Sequence, residues 1–399
     1  MPSRSDLRKR PAASGSFALS RNRSATNRTP RQINRKYIFD LVREWQPLSR
    51  ADIARYSGLQ RSTVSGIIEE LISEEWLFEG APSPLPRGRR PVLIQLYANR
   101  SVLALDIHPS RTTLAVVDLS GKIRGQDVNL SPQHPKRTIA AICKGITRFL
   151  SEHKDKSFVG VGICLPGRID PDAEGAIFAP RLDWRVAELK AHVERTTGLP
   201  VEMDNVANAC ALAQVWFGES AAEDGLIVVN VSEGISVGMF VNGKILRGLH
   251  GMAGEFGHVQ LDPANKVLCA CGNFGCWETL ASNTAALRYH RQLEGRKAAE
   301  TYDLLIKAAL EGQSSAIEAI TRSAVQLGRG IRILLSGLAP RDVVIVGEIA
   351  AAWNLVQPLI EVEMRRNCLT KLPNLRCMED GEGSRLRAAA ALILSEVSV

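Results

Sequence analysis

Hydrophobic positions from Ile33 onward recur with a helical period. Ile38, Leu41, Val42 and Trp45 fall at i, i+3, i+4 and i+7 and line one face of an amphipathic helix. Pro47 ends it, because proline cannot donate the next backbone hydrogen bond. Ser49 then reads as an N-cap with Asp52 three residues on, and Ile53 and Ala54 face inward on a second, short helix. Gly58 breaks that helix. In the run QRSTVSGIIEELISEE, Val64, Ile67, Ile68, Leu71 and Ile72 form the apolar stripe of a third. Its early polar positions, Gln60, Arg61, Ser62, Thr63 and Ser65, carry side chains able to contact base edges or phosphates. Three short helices with a tight second turn describe a helix-turn-helix, with the third as recognition helix.

After Trp76-Leu77-Phe78, the stretch APSPLPRGRRPVLIQL reads as a hairpin, the wing of a winged helix. Arg87, Arg89 and Arg90 stand at its tip or return strand, where arginines can enter a narrow, strongly negative minor groove. The pattern changes near Ser101. VLALDIHPSRTTLAVVDLSGKI predicts two apolar strands joined by a turn, and Ile139 to Leu150 predicts an amphipathic helix. The chain from Thr284 is mostly helical around the strand DVVIV, and no internal repeat is visible.

Charge sharpens the division. Residues 1–100 hold 18 Lys+Arg and 9 Asp+Glu, leaving 32 basic and 33 acidic residues for the rest of the 399. The positive excess sits at one end, where a polyanion such as double-stranded DNA would bind. Residues 1–30 are rich in Arg, Ser, Asn and Pro and poor in large apolar side chains, so they are expected to form a disordered basic tail. That tail either adds attraction to phosphates or is merely solvated. With 45% hydrophobic and 23% charged residues, no apolar run of membrane-spanning length and no signal-peptide core, the expectation is a cytoplasmic globular protein without membrane contact. Cys143, Cys164, Cys210, Cys368 and Cys377 are scattered singly, as reduced thiols would be.

The other three cysteines are clustered. GEFGHVQLDPANKVLCACGNFGCWE places His258, Cys269, Cys271 and Cys276 within nineteen residues. Three thiols and an imidazole match the ligand set of a closed, structural zinc site. Glu255 and Glu278 flank the cluster without being needed for four-coordination. Zinc is therefore expected to clamp the loop and position those acids.

GEFGHV followed by CACGNFGCWETLAS resembles the zinc motif of the ROK family of repressors, open reading frames and sugar kinases. The resemblance runs from about Gln32 to the C-terminus. The helix-turn-helix followed by GRRP is similar to the N-terminal module of its xylose- and N-acetylglucosamine-responsive repressors. It implies an α/β architecture: an N-terminal winged helix-turn-helix (31–98) followed by a two-lobed actin-like sugar kinase body. The lobes would span 99–206 and 207–383, with a C-terminal helix (384–399) completing the first. VGVGICLPGRID resembles the strand and turn bordering the sugar, and Leu182-Asp183-Trp184 the segment covering it. By resemblance Asn205, Glu255 and Glu278 hydrogen-bond ring hydroxyls, and His258 bridges sugar and metal.

Four departures from the kinases of that family all touch the nucleotide or its chemistry. Asp106-Ile107 is followed by His108-Pro109 where the first phosphate loop is glycine-rich. Glu233 stands in the second phosphate loop and Glu348 in the adenosine loop, each in place of a small residue. In VEMDNVANAC, Val206 occupies the position of the general base, and valine cannot accept a proton. The expectation is a non-enzymatic, sugar-responsive DNA-binding regulator acting as a homodimer or dimer of dimers, with a sugar or sugar phosphate as effector. An active kinase with an appended DNA-binding head, or a regulator controlled by a protein partner, are the alternatives.

Overall fold

A computed structural model describes residues 30–82, 91–108, 111–130, 135–170, 176–178, 187–218, 225–366, 371–378 and 381–396. The tail 1–29, the wing arginines Arg87, Arg89 and Arg90, the segment Leu182-Asp183-Trp184 and Cys368 lie outside the described residues. The chain divides into two compact units, one within Met1–Gln95 and one spanning Leu96–Val397.

In the first unit, α1 (Pro30–Trp45) buries Ile38, Phe39, Leu41 and Val42. It starts before Ile33 because proline suits a first helical position, where its missing N–H would be unpaired anyway. Trp45, expected in the core, is half-buried and meets Tyr56 edge-on at 4.8 Å between ring centroids. Strand β1 (Leu48–Ser49) leads into α2 (Arg50–Ser57), which opens with a complete capping box between Ser49 and Asp52. Gly58 closes it in the left-handed conformation. Then α3 (Arg61–Ser73) buries Val64, Ile67, Ile68 and Leu71, while Ile72 and Ala54 are half-buried at the margins. Strands β2 (Leu77–Pro82) and β3 (Val92–Leu96) complete a three-stranded sheet of order β1-β3-β2. Three helices and this sheet are a winged helix-turn-helix.

The second unit holds two sheets. The first is built from β4 (Arg100–Ile107), β5 (Arg111–Asp118) and β6 (Ile123–Leu130), then, after α4 (Pro135–Glu152), β7 (Ser157–Leu165). The short pair β8 (Arg168–Asp170) and β9 (Ala176–Phe178) and the helix α5 (Ala187–Thr197) lead to β10 (Val201–Asn205). Helix α6 (Val206–Phe217) crosses to the second sheet: β11 (Leu226–Val231), β12 (Ile235–Val241), β13 (Lys244–Ile245). There follow α7 (Trp277–Ala281), α8 (Asn283–Glu294), α9 (Tyr302–Leu310), α10 (Ser314–Leu338), β14 (Asp342–Val346), α11 (Trp353–Arg365) and β15 (Asn374–Cys377). Helix α12 (Gly381–Glu396) ends the described chain.

Sheet orders are β10-β7-β4-β5-β6 and β13-β12-β11-β14-β15. Each has an antiparallel meander of three strands, then two parallel additions on the other side of the first strand. The two lobes thus repeat one topology, a repeat invisible in the residues. Helix α12 packs on β4, β7 and β10 and against α6, so the C-terminus completes the first lobe. Helix α6 also packs on β12, and a Cβ at Gly238 would lie 2.2 Å from the carbonyl oxygen of Ala207. Glycine at 238 is what lets that helix sit so close between the sheets.

Candidate effector cleft and metal centre

His258 ends a 3₁₀ turn, Glu255–His258, that packs on β12. Cys269 and Cys271 lie on a loop closed by bridges between Leu268 and Phe274 and between Gln260 and Cys276. Gly275 has φ of 65°, and a Cβ there would lie 1.7 Å from the carbonyl oxygen of Asp262, so only glycine brings Cys276 back beside the other thiols. Buried Trp277 anchors the far side, donating from Nε1 to the Gln326 carbonyl at 3.1 Å. The result is one donor atom from each of His258, Cys269, Cys271 and Cys276, all within 4.8 Å of one another. Soft donors at that spacing fit a tetrahedral metal ion.

The histidine is oriented. Its Nδ1 is 3.3 Å from Cys269 Sγ, whereas Nε2 is 3.5 Å from Glu255 Oε2. Nδ1 therefore belongs to the metal cluster, and Nε2 faces outward to the acid. Glu278, buried at the start of α7, places Oε1 3.0 Å from Cys269 Sγ and 3.8 Å from His258 Nδ1. It thus sits against the thiol and imidazole of the cluster. Burial pushes the Cys276 thiol up to about 11 and raises Cys269 as well. Burial also lifts Glu255 above the usual carboxylate range, against the opposing pull of His258 and Arg168.

Asn205 ends β10 in the first lobe. Its Oδ1 accepts from the Ala207 N–H at 2.8 Å, capping α6, and its Nδ2 donates to the Gly167 carbonyl at 2.6 Å. Gly167 precedes β8, which packs on the 3₁₀ turn Leu249–Gly251 of the second lobe. The two bonds of Asn205 use one of its two amide hydrogens and one of the two oxygen lone pairs. Asp204, before it, is buried and accepts from Arg247 at 2.6 Å, the Asn205 N–H at 2.7 Å and Asn208 at 3.0 Å. Val206, the next residue after Asn205, is an apolar core residue.

The turns that resemble nucleotide loops are filled with charge. His108 Nε2 lies 2.9 Å from Glu233 Oε1, joining the first lobe to the second. Arg385 of α12 donates to Asp106 at 2.8 Å and to Glu348 at 3.3 Å. Although burial opposes its charge, Asp106 and Glu348 hold the Arg385 guanidinium above its ordinary pKa. Neither Asp106 nor Arg385 stood out in the residue pattern as an ion pair, because 279 positions separate them.

The ROK family profile matches residues 102–395. The chain belongs to the ROK family. It is 29% identical to the xylose repressor of Bacillus subtilis over 348 residues, 86% of this chain and 89% of that protein. The crystal structure of a ROK family transcriptional regulator, a homologue of the Escherichia coli MLC protein, aligns with a TM-score of 0.75 and 26% identity. It covers 92% of this chain and 99% of its own. A ROK family glucokinase from Streptomyces griseus, in complex with glucose and AMPPNP, aligns with a TM-score of 0.66 and 27% identity. That kinase covers 73% of this chain and 98% of its own. The family therefore includes both regulators and kinases.

In the winged-helix unit of this ROK chain, Gln60 occupies the N-cap position of α3 without a side-chain capping hydrogen bond, and Arg61, Ser62 and Thr63 are exposed on its first turn. Ser65 is half-buried. Among the described residues no helix is long and apolar enough to cross a membrane.

Proposed function

We propose that this ROK chain is a sugar-responsive transcriptional repressor of carbohydrate genes, binding an operator through its winged helix and sensing a sugar or sugar phosphate between its lobes. The observation that carries the reading is coverage. The likeness to the transcriptional regulator extends over 92% of the chain and so must reach into the first unit, where the glucokinase stops at 73%.

The chemistry of the cleft supports it. A kinase needs a base for the sugar hydroxyl, and Val206 has none; Asp204 is held by three donors and is not free to replace it. Asn205, Glu255, His258 and Glu278 keep the polar groups that recognise hydroxyls. A buried partner left unsatisfied costs about 1–3 kcal/mol, and that cost provides selectivity. Zinc held by His258, Cys269, Cys271 and Cys276 fixes the loop that carries Glu255 and leaves His258 Nε2 facing the acid. Gln60, Arg61, Ser62, Thr63 and Ser65 read the major groove, and Arg87, Arg89 and Arg90 reach the adjacent minor groove. Two chains bind two half-sites, and effector binding shifts the population toward a state whose winged helices no longer match them.

The test is fluorescence anisotropy of the full chain on DNA from its own upstream region, with D-xylose, D-glucose, N-acetyl-D-glucosamine and their phosphates. One sugar shifting affinity about tenfold supports the sensor. Tight binding unmoved by any sugar favours control by a protein partner. No DNA binding, or ATP consumption dependent on sugar, overturns the reading.

A further inference from the structure

The charged side chains in the former nucleotide loops are joined across the interlobe gap, and their arrangement is more than a loss of nucleotide contacts. His108 follows the last residue of β4 and pairs with Glu233 in the turn between β11 and β12 at 2.9 Å. Glu348, on the 3₁₀ turn after β14, is gripped twice. Its Oε1 accepts from Arg385 at 3.3 Å and its Oε2 from Asn283 at 2.9 Å. Arg385 reaches back to Asp106 on β4 at 2.8 Å. Asn283, at the start of α8, also ties its backbone N–H to the Ser232 carbonyl at 2.8 Å, and Thr284 donates to the Glu233 carbonyl at 3.0 Å. A continuous set of contacts therefore runs from β4 through Arg385, Glu348 and Asn283 to the Ser232-Glu233 turn, then through His108 back to β4.

Two of these links cross from one lobe to the other: His108 to Glu233, and Arg385 to Glu348. The glucokinase relative was solved with AMPPNP, and in this chain the turns that resemble nucleotide loops meet across the interlobe gap. Here three carboxylates, Asp106, Glu233 and Glu348, line it and would repel a polyphosphate. The partners that hold Glu233 and Glu348, His108 and Arg385, both come from the first lobe. We infer that this ring of side chains is an interlobe clasp which takes the bridging place of a nucleotide and sets how readily the lobes open and close. The inference rests on the sensor reading, because closure matters only if a ligand in the cleft exploits it. The clasp makes lobe closure independent of ATP, so the effector alone controls the equilibrium.

The experiment uses the full chain and three variants, Glu233→Gln, Glu348→Gln and the double replacement. Each single replacement keeps side-chain shape and removes one carboxylate charge that meets a partner across the gap, and the double replacement removes both. Hydrogen exchange is followed without ligand and with D-xylose, D-glucose and N-acetyl-D-glucosamine, in parallel with anisotropy on operator DNA. The double variant should speed exchange about tenfold at the amides of His108, Ser232 and Asn283, which sit on both sides of the gap. Exchange within the strand cores should stay unchanged. Where a sugar releases the wild type from DNA, its half-effective concentration should move at least about threefold in the double variant. Unchanged exchange at these amides, or a uniform rise throughout one lobe with an unmoved sugar response, would overturn the clasp and leave the pairs merely structural. If none of the sugars affects the wild type, the sensor reading fails separately, while exchange in the ligand-free protein still decides whether the clasp exists.

Discussion

Replacing Arg385 by methionine removes a guanidinium that is 4% exposed and sits against Asp106, itself 3% exposed. The carboxylate left behind has little access to water and loses a counter-charge 2.8 Å away. Two unit charges about 4 Å apart at an effective dielectric of about 20 attract by about 4 kcal/mol. Breaking one side of a buried pair destabilises by about 3–5 kcal/mol, since the survivor keeps its desolvation cost. At about 2 °C per kcal/mol for a unit of this size, the melting temperature of the second unit should fall by roughly 6–10 °C. The double variant Arg385→Met/Asp106→Asn removes both charges and should recover about 1–3 kcal/mol of that loss. Scanning calorimetry of the full chain measures each step, with the transition of the winged-helix unit as internal control. If the single variant melts within about 2 °C of the wild type, Arg385 is not a buried ionic tie. If the double variant is the sum of the two single losses, the pair is not coupled and the reasoning from burial is refuted.

Loading the thiol cluster with zinc should release protons, because burial holds Cys269 and Cys276 protonated near neutral pH, Cys276 at about 11. Affinity should rise with pH and fall in acid, and a zinc titration in weak buffer with an indicator dye that shows no proton release would refute it. Cys276→Ser should lower metal content below one ion per chain by elemental analysis and weaken the sugar response while DNA binding persists. Glu255→Gln should raise the sugar concentration needed for release about tenfold without changing operator affinity in its absence; equal effects on both would remove Glu255 from the effector site. Arg61→Ala should cost about 1–3 kcal/mol of operator affinity, and Arg89→Ala should act most on A·T-rich flanks. Affinity should fall with salt at a slope of about −0.9 per phosphate neutralised, and a flat salt profile would remove the basic head from the interface.

Local elements were readable from the residues because their signals are local. The capping box of Ser49 and Asp52, the stop at Gly58 and the stripe of Val64, Ile67, Ile68 and Leu71 each depend on neighbours within a few positions. The candidate metal cluster was readable for the same reason, since all four donor residues fall inside one nineteen-residue stretch. The edges of helices were less clear. Helix α12 begins at Gly381, earlier than its apolar pattern suggests, and Glu382 in its first turn accepts from Thr113 on β5 at 2.7 Å. That contact spans 269 positions and has no counterpart in the linear pattern.

The residues alone therefore set the helix-turn-helix, the His/Cys donor cluster of one loop, the charge asymmetry between head and body and the valine at 206. Each is a property of residue type and short spacing. The repeated lobe topology, the orientation of His258 with Nδ1 to the thiols and Nε2 to Glu255, and the capture of Asp204 by Arg247 emerged only from the folded chain. So did the ring through Asp106, Arg385, Glu348, Asn283, Glu233 and His108. These depend on which strand lies beside which, and sheet order is set by burial over the whole chain rather than by any segment of it.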